Sequence, residues 1–253
     1  MQMTQLVRTL GRSDAKLIGR DRFPLFMFGF IVYIIVVLRF LLPWANDYLA
    51  ENGILPNESF SLSLADFYPM IVAYMAIFTG AMMVGTIVGF MLLDEKDHNT
   101  LKAMLVTPVR FQQYALYRVG LPAVLAFVIV VAMVLGINQA LVPWWQLLLI
   151  AAGASLLAPM TTLFFALMAE NKVQGFAYAK FTGISGWIIM GGWFIPGPWQ
   201  WLLGVFPPFW ISKAYWLAFA GSSWWWPTLI VGVLLQLGLI YWLAQRFNKV
   251  VYR

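Results

Sequence analysis

The chain has no cysteine and a single histidine, His98. Without thiolates there are no disulfides and no thiolate-ligated metal site, and one imidazole with no second beside it makes a poor metal ligand set. Charge is scarce too: 10% of residues are charged, under half of the roughly 25% usual for a soluble globular domain. The apolar runs hold no pair of carboxylates, which removes the commonest arrangement for general acid–base chemistry. No G-x-x-x-x-G-K-S/T run occurs, so the chain has no loop of that kind to cradle ATP phosphates. The formal charge of +6 would suit a nucleic acid only if it were gathered on one face. The basic residues instead sit between apolar runs, and no nucleic-acid partner is expected.

Apolar residues make up 62% of the chain. Several uninterrupted stretches reach the ~18 residues or more that a helix needs to cross ~30 Å of hydrocarbon. The reading is an all-α integral membrane protein with six transmembrane helices. The spans run from about Phe23 to Leu42, Phe67 to Leu93, Val119 to Gln139, Gln146 to Met168, Phe176 to Ile195 and Trp226 to Ala244. All of 23–253 forms one transmembrane domain, preceded by 1–22. Those first residues lack a signal-peptide pattern. Arg8, Arg12, Lys16 and Arg20 form an i, i+4 row opposite Leu6, Val7, Leu10, Leu17 and Ile18, as expected of an amphipathic helix on anionic lipid. Asp14 and Asp21 interrupt its apolar arc.

Within the spans, Ala81, Gly85 and Gly89 are four residues apart, a stripe of small residues that lets another helix approach closely. Pro159 is expected to kink the fourth span. Arg39 lies near the outer end of the first, within snorkelling reach of the interface. The loop after it carries an Asn57-Glu58-Ser59 glycosylation sequon, a short and common pattern. Residues 196–225 are apolar and aromatic, but Pro196, Pro198, Pro207 and Pro208 forbid one continuous helix. Two short helices, near Trp199–Val205 and Pro208–Ala220, are expected as a hairpin dipping into the outer leaflet.

Orientation follows from Lys and Arg. Fourteen of the 16 fall in the N-terminal arm, the loop after the second span, the turn after the fourth and the tail. By the positive-inside rule both termini are cytoplasmic. Eleven of the 13 tryptophans, from Trp44 to the Trp224-Trp225-Trp226 run, fall near the opposite interface, where amphipathic rings prefer to sit.

The most polar stretch follows the second span. Asp94-Glu95-Lys96-Asp97-His98 leads into Asn99 or Thr100 as a helix cap, an apolar stripe of Leu101, Met104 and Leu105, and a stop at Thr107-Pro108. From Glu95 to Arg118 this stretch resembles the segment after the second span of type-2 ABC exporter permeases. Those read E-K/R-E-x-G-T-L-x-x-L-L-x-T-P, with a basic residue about ten positions on. Glu95, Lys96, Asp97, Thr100, Leu101, Leu105, Thr107, Pro108 and Arg118 match in type. Asn99 stands where the family prefers glycine, and Lys102 where an acidic residue is common.

The resemblance implies that 94–118 holds a cytoplasmic coupling helix which seats in a groove of a separate ABC nucleotide-binding subunit. Glu95, Lys96, Asp97, Thr100, Leu101, Met104, Leu105, Thr107 and Pro108 would make that contact. It also implies an outer re-entrant helical hairpin before the last span, a second copy of the chain or a related permease as partner, and a place in the plasma membrane. No cofactor would be bound by this chain, with ATP and Mg held on the partner subunit. The Thr107-Pro108-Val109-Arg110-Phe111 turn and the overall size look like drug-export permeases of the fluoroquinolone-exporter kind. The expected cargo is an amphipathic small molecule or lipid. The competing class is a self-contained secondary transporter or pore, which usually needs buried ionisable residues that these spans have few of. A membrane enzyme is weaker still, for lack of residues to perform chemistry.

Overall fold

The computed structural model describes residues 3–52, 63–97 and 111–251. Helix α1, Met3–Arg20, leads into α2, Arg22–Glu51, through Asp21, whose Oδ1 accepts from the Phe23 N–H at 3.0 Å and caps the second helix. Helix α2 runs on past Leu42 with Pro43 inside it. Its 30 residues span about 45 Å at 1.5 Å per residue, more than a hydrocarbon core. Polarity therefore marks the end of the apolar run, while the helix itself continues to Glu51. The Tyr68 hydroxyl donates to the Leu42 carbonyl at 2.9 Å, holding the backbone next to the proline.

The centre of the molecule is α3, Leu64–Asp97, whose apolar stretch is almost wholly buried, whereas that of α2 is mostly exposed. It opens with a 3-10 turn over Leu64–Phe67 and widens to a π-helix over Ala73–Phe78 before resuming as α-helix from Thr79 to Asp97. Both the Thr79 N–H and its hydroxyl, at 2.8 Å, donate to the Tyr74 carbonyl and close the wide turn. The remaining long helices are α4, Phe111–Ile137; α5, Trp144–Ser155, continued after a break at Leu156 by α6, Leu157–Met168; and α10, Trp225–Val251. Of these, α4 and α6 pack directly on α3, and α10 packs on α6 and on the segment just before it in the chain. The break lies one turn before Pro159, whose missing N–H leaves the Ser155 carbonyl without its helical partner.

Among the described residues, five helices are long and apolar enough to cross a membrane: Arg22–Glu51, Leu64–Asp97, Leu116–Ile137, Trp144–Met168 and Trp225–Phe247. The stretch expected as a span at 176–195 is two helices, α7, Lys172–Ser185, and α8, Trp187–Phe194, of 14 and 8 residues. The chain bends between them at Gly186, where a Cβ would lie 2.4 Å from Cε1 of Phe78 and 2.7 Å from Cε2 of Tyr74. Only glycine lets the bend sit against those rings.

After α8 come a 3-10 helix, Gly197–Val205, and α9, Pro207–Phe219. The 3-10 helix buries no residue, whereas α9 packs Phe209, Ile211 and Tyr215 into the core. The Tyr215 hydroxyl donates to the Ala140 carbonyl at 2.5 Å, tying α9 to the turn between α4 and α5.

Alternating helix direction separates two ends. One, the charged end, gathers α1, the foot of α3, the start of α4 and the turn before α7. The other, the aromatic end, holds the Trp145–Trp225, Trp193–Trp216 and Trp201–Trp210 ring contacts.

Candidate functional site at the charged end

The foot of α3 is Asp94-Glu95-Lys96-Asp97, and the first three of these side chains each reach a different element. Asp94 Oδ1 lies 2.6 Å from Nζ of Lys172 at the start of α7, and that ammonium is also 4.0 Å from Asp21 between α1 and α2. Glu95 Oε1 accepts from Nη2 of Arg118 in α4. Lys96 Nζ donates to the Ala169 carbonyl at 2.9 Å, just past the last residue of α6. A helix leaves its last carbonyls without intrahelical partners and its C-terminus partly negative, so a lysine there completes both the hydrogen bonding and the charge. Asp97 is exposed.

Arg118 is the deepest of these charges, with 2% of its surface exposed. Its Nη1 donates to Oδ2 of Asp14 in α1 at 3.1 Å, and the neighbouring Tyr117 hydroxyl donates to the same oxygen at 2.8 Å. Asp14, read from sequence as a flaw in the apolar face of α1, is itself 3% exposed. It sits on the inner side of α1, while Arg8, Arg12, Lys16 and Arg20 are exposed. One guanidinium therefore holds carboxylates from α1 and α3 to α4. An ion so buried costs several kcal/mol of desolvation unless paired and hydrogen-bonded, and this one is both. The apolar floor beneath is Leu92, Leu163, Ile240, Leu243 and Phe247, with Leu10 of α1 against it.

Of the residues expected to dock a partner, Glu95 and Lys96 are thus engaged within the chain. Thr100, Leu101, Met104, Leu105, Thr107 and Pro108 lie outside the described residues, as do Asn57 and His98. Ala81, Gly85 and Gly89 lie buried in α3, where it packs most extensively against α6. A Cβ on Gly85 would fall 2.6 Å from the Ala158 carbonyl oxygen, and one on Gly89 2.7 Å from Cδ2 of Phe165. The approach is close enough for the Thr162 hydroxyl to reach the Gly85 carbonyl at 3.1 Å. Sequence reasoning passed over Asp14, Tyr117 and Lys172 as partners. The usable signal was an acidic residue inside a basic amphipathic helix, where burial demands a cation. Among the described residues no three of His, Asp and Glu converge as metal ligands.

The geometry of this hub fastens the foot of α3 to α4, α6 and α7, and through Arg118 to α1, so a displacement of that foot moves several helices together. Comparison with known proteins gives it a setting. A family model described as fluoroquinolones export permease protein Rv2686c-like matches residues 14–244. The fluoroquinolones export permease protein Rv2686c of Mycobacterium tuberculosis (strain ATCC 25618 / H37Rv) is 31% identical over 246 residues, covering 94% of this chain and 92% of that protein. Its counterpart MT2760 in the CDC 1551 / Oshkosh strain matches to the same extent. No solved structure matches the chain.

Proposed function

We propose that this chain, which belongs to the family of Rv2686c-like fluoroquinolones export permeases, is the membrane subunit of an ATP-driven exporter. A separate nucleotide-binding subunit supplies the ATP and Mg site. Six spans cross the plasma membrane, with α7 and α8 together making the fifth. The charged end and both termini face the cytoplasm, where Lys and Arg gather. The 3-10 helix and α9 form the outer re-entrant hairpin. Two such subunits enclose the path, and the cargo is amphipathic, in keeping with the fluoroquinolones in the relatives' names.

The observation that carries this reading is the hub at the foot of α3. A push on 98–110 enters α3 directly and reaches α4 through Glu95 and Arg118, and α6 through Lys96. An ATPase docked on the Leu101, Met104 and Leu105 stripe would have mechanical purchase on the central helix. Leu101→Asp or Leu105→Asp is expected to lose the co-purifying ATPase and drug export while the protein stays in the membrane. A buried leucine contributes about 1.5–3 kcal/mol, so docking weakens tenfold or more. Export and co-purification at wild-type levels in both variants would reject the coupling assignment.

A further inference from the structure

Beside the π-helix of α3 is a cavity of about 270 Å³ between α3, α6, α7 and α10. Its wall is aromatic and thioether-rich, with Phe78, Phe164, Phe206, Trp242, Met82 and Met160 among its residues. Four wall residues enter where a helix is irregular. Phe78 ends the π-helix, Leu157 follows the break between α5 and α6, Ser185 precedes the bend at Gly186, and Phe206 joins the 3-10 helix to α9. Regular helices interdigitate and leave few voids larger than a water, and π-turns concentrate at functional sites.

Phe78 and Leu157 also wall a second cavity of about 10 Å³, room for one water at most. Ser212 of α9 and Gln236 of α10 line it. Their exposures are 1% and 0%. Neither the Ser212 hydroxyl nor either end of the Gln236 amide has a hydrogen-bond partner among the described residues. Gln236 stands in the run Val233-Leu234-Leu235-Gln236-Leu237, where a leucine would carry no such penalty. A buried amide kept without a partner in an apolar helix points to a ligand that supplies one.

We propose that the larger cavity binds a flat aromatic amphiphile, and that Gln236 with Ser212 anchors a carbonyl or hydroxyl at one end of that molecule once the Phe78 ring turns aside. The aromatic and methionine wall suits a polarizable ring system that can seat in more than one way. No charged side chain lines either cavity among the described residues, so the anchor is a hydrogen bond and not an ion pair. An acyl chain would fill the apolar part but leave the amide unserved. That the bound amphiphile is the exported cargo rests on the permease reading above; the site itself does not.

The test uses the full-length chain in nanodiscs, with norfloxacin binding followed by fluorescence anisotropy and stability by thermal unfolding. Gln236→Leu is expected to weaken binding at least tenfold while Tm holds or rises, because an unpartnered buried amide is removed. Ser185→Phe, which fills the apolar part, and Ser212→Ala, the milder anchor variant, are expected to weaken binding with little change in Tm. Wild-type affinity in Gln236→Leu would overturn the anchor. A lower Tm in Gln236→Leu would overturn it too, since the amide would then be serving the fold through one trapped water. No norfloxacin binding by the wild type would overturn the site while leaving the exporter reading intact. Failure of an ATPase to co-purify would do the reverse.

Discussion

The two ends of the bundle are held by different chemistry. At the charged end a buried ionic cluster joins residues far apart in sequence, Asp14 and Glu95 on Arg118, with the half-exposed Asp94–Lys172 pair and the Phe23, Phe90 and Phe176 rings beside it. At the aromatic end the fastenings are rings against rings and hydroxyl or guanidinium groups on backbone carbonyls, as in Tyr68 on Leu42, Tyr215 on Ala140 and Arg39 on Gly136. Ring contacts can slide at modest cost, because an aromatic pair is worth only about 0.5–1.5 kcal/mol beyond its buried area. A buried ion pair has one favourable arrangement and a steep penalty for leaving it. What sets the charged end apart is therefore the buried Arg118 cluster, which resists being pulled apart, and not the presence or absence of ring contacts.

The sharpest way to break the contrast is Arg118→Met. It takes the guanidinium from Asp14, which is 3% exposed, and removing one partner from a buried pair costs about 3–5 kcal/mol. Unfolding in detergent is expected to shift by that amount, and α1 is expected to become susceptible to limited proteolysis once its tie to α4 is cut. A variant as stable as wild type would show that the cluster fastens nothing.

Lys96→Met probes the same end with a smaller effect. The methionine keeps most of the stem but loses the ammonium on the Ala169 carbonyl. A cation at a helix C-terminus with a charge-assisted hydrogen bond contributes about 1–2 kcal/mol. The loss is expected at the foot of α6, read as faster amide exchange over the last turn before Met168. Uniformly faster exchange along α6 would instead mean a general loosening.

How much of this was legible in the sequence differs in the same way between the two ends. Five of the six apolar runs gave long helices, since hydrocarbon length and helical rise leave little choice, while the run at 176–195 is broken at Gly186 into two shorter ones. The prolines between 196 and 208 gave the two short helices near their observed places. Other features were hidden because they depend on a distant partner. Asp14 looked like a defect until a residue 104 positions away proved to be its counter-ion. Glu95 and Lys96 fit a docking motif, and only the fold shows them turned inward on Arg118 and Ala169. The π-helix at Ala73–Phe78 has no signature in composition, because its wide turn is closed by the Tyr74 carbonyl and set by packing on Gly186. Gln236 did leave a mark, one amide in a leucine run. The cost of burying it singles that residue out in the sequence itself.

The smallest effect is expected at the aromatic end, from Arg39→Leu. Sequence alone leaves Arg39 open to two roles, interfacial anchor or contact for cargo. Its side chain is exposed, and its Nη1 donates at 2.9 Å to the Gly136 carbonyl in the last turn of α4. At Gly136 the helices approach closely enough that a Cβ would lie 2.7 Å from Cγ2 of Ile35, so the carbonyl is in reach of α2. An exposed guanidinium on one carbonyl contributes about 1 kcal/mol or less, and a leucine regains part of that in apolar contact. The shift in Tm is therefore expected to be a small fraction of that for Arg118→Met, with export unchanged in cells. If Arg39→Leu abolished export at unaltered stability, the guanidinium would have to meet the cargo. The aromatic end would then carry a charge that works in transport, and the contrast between the two ends would fail at that residue.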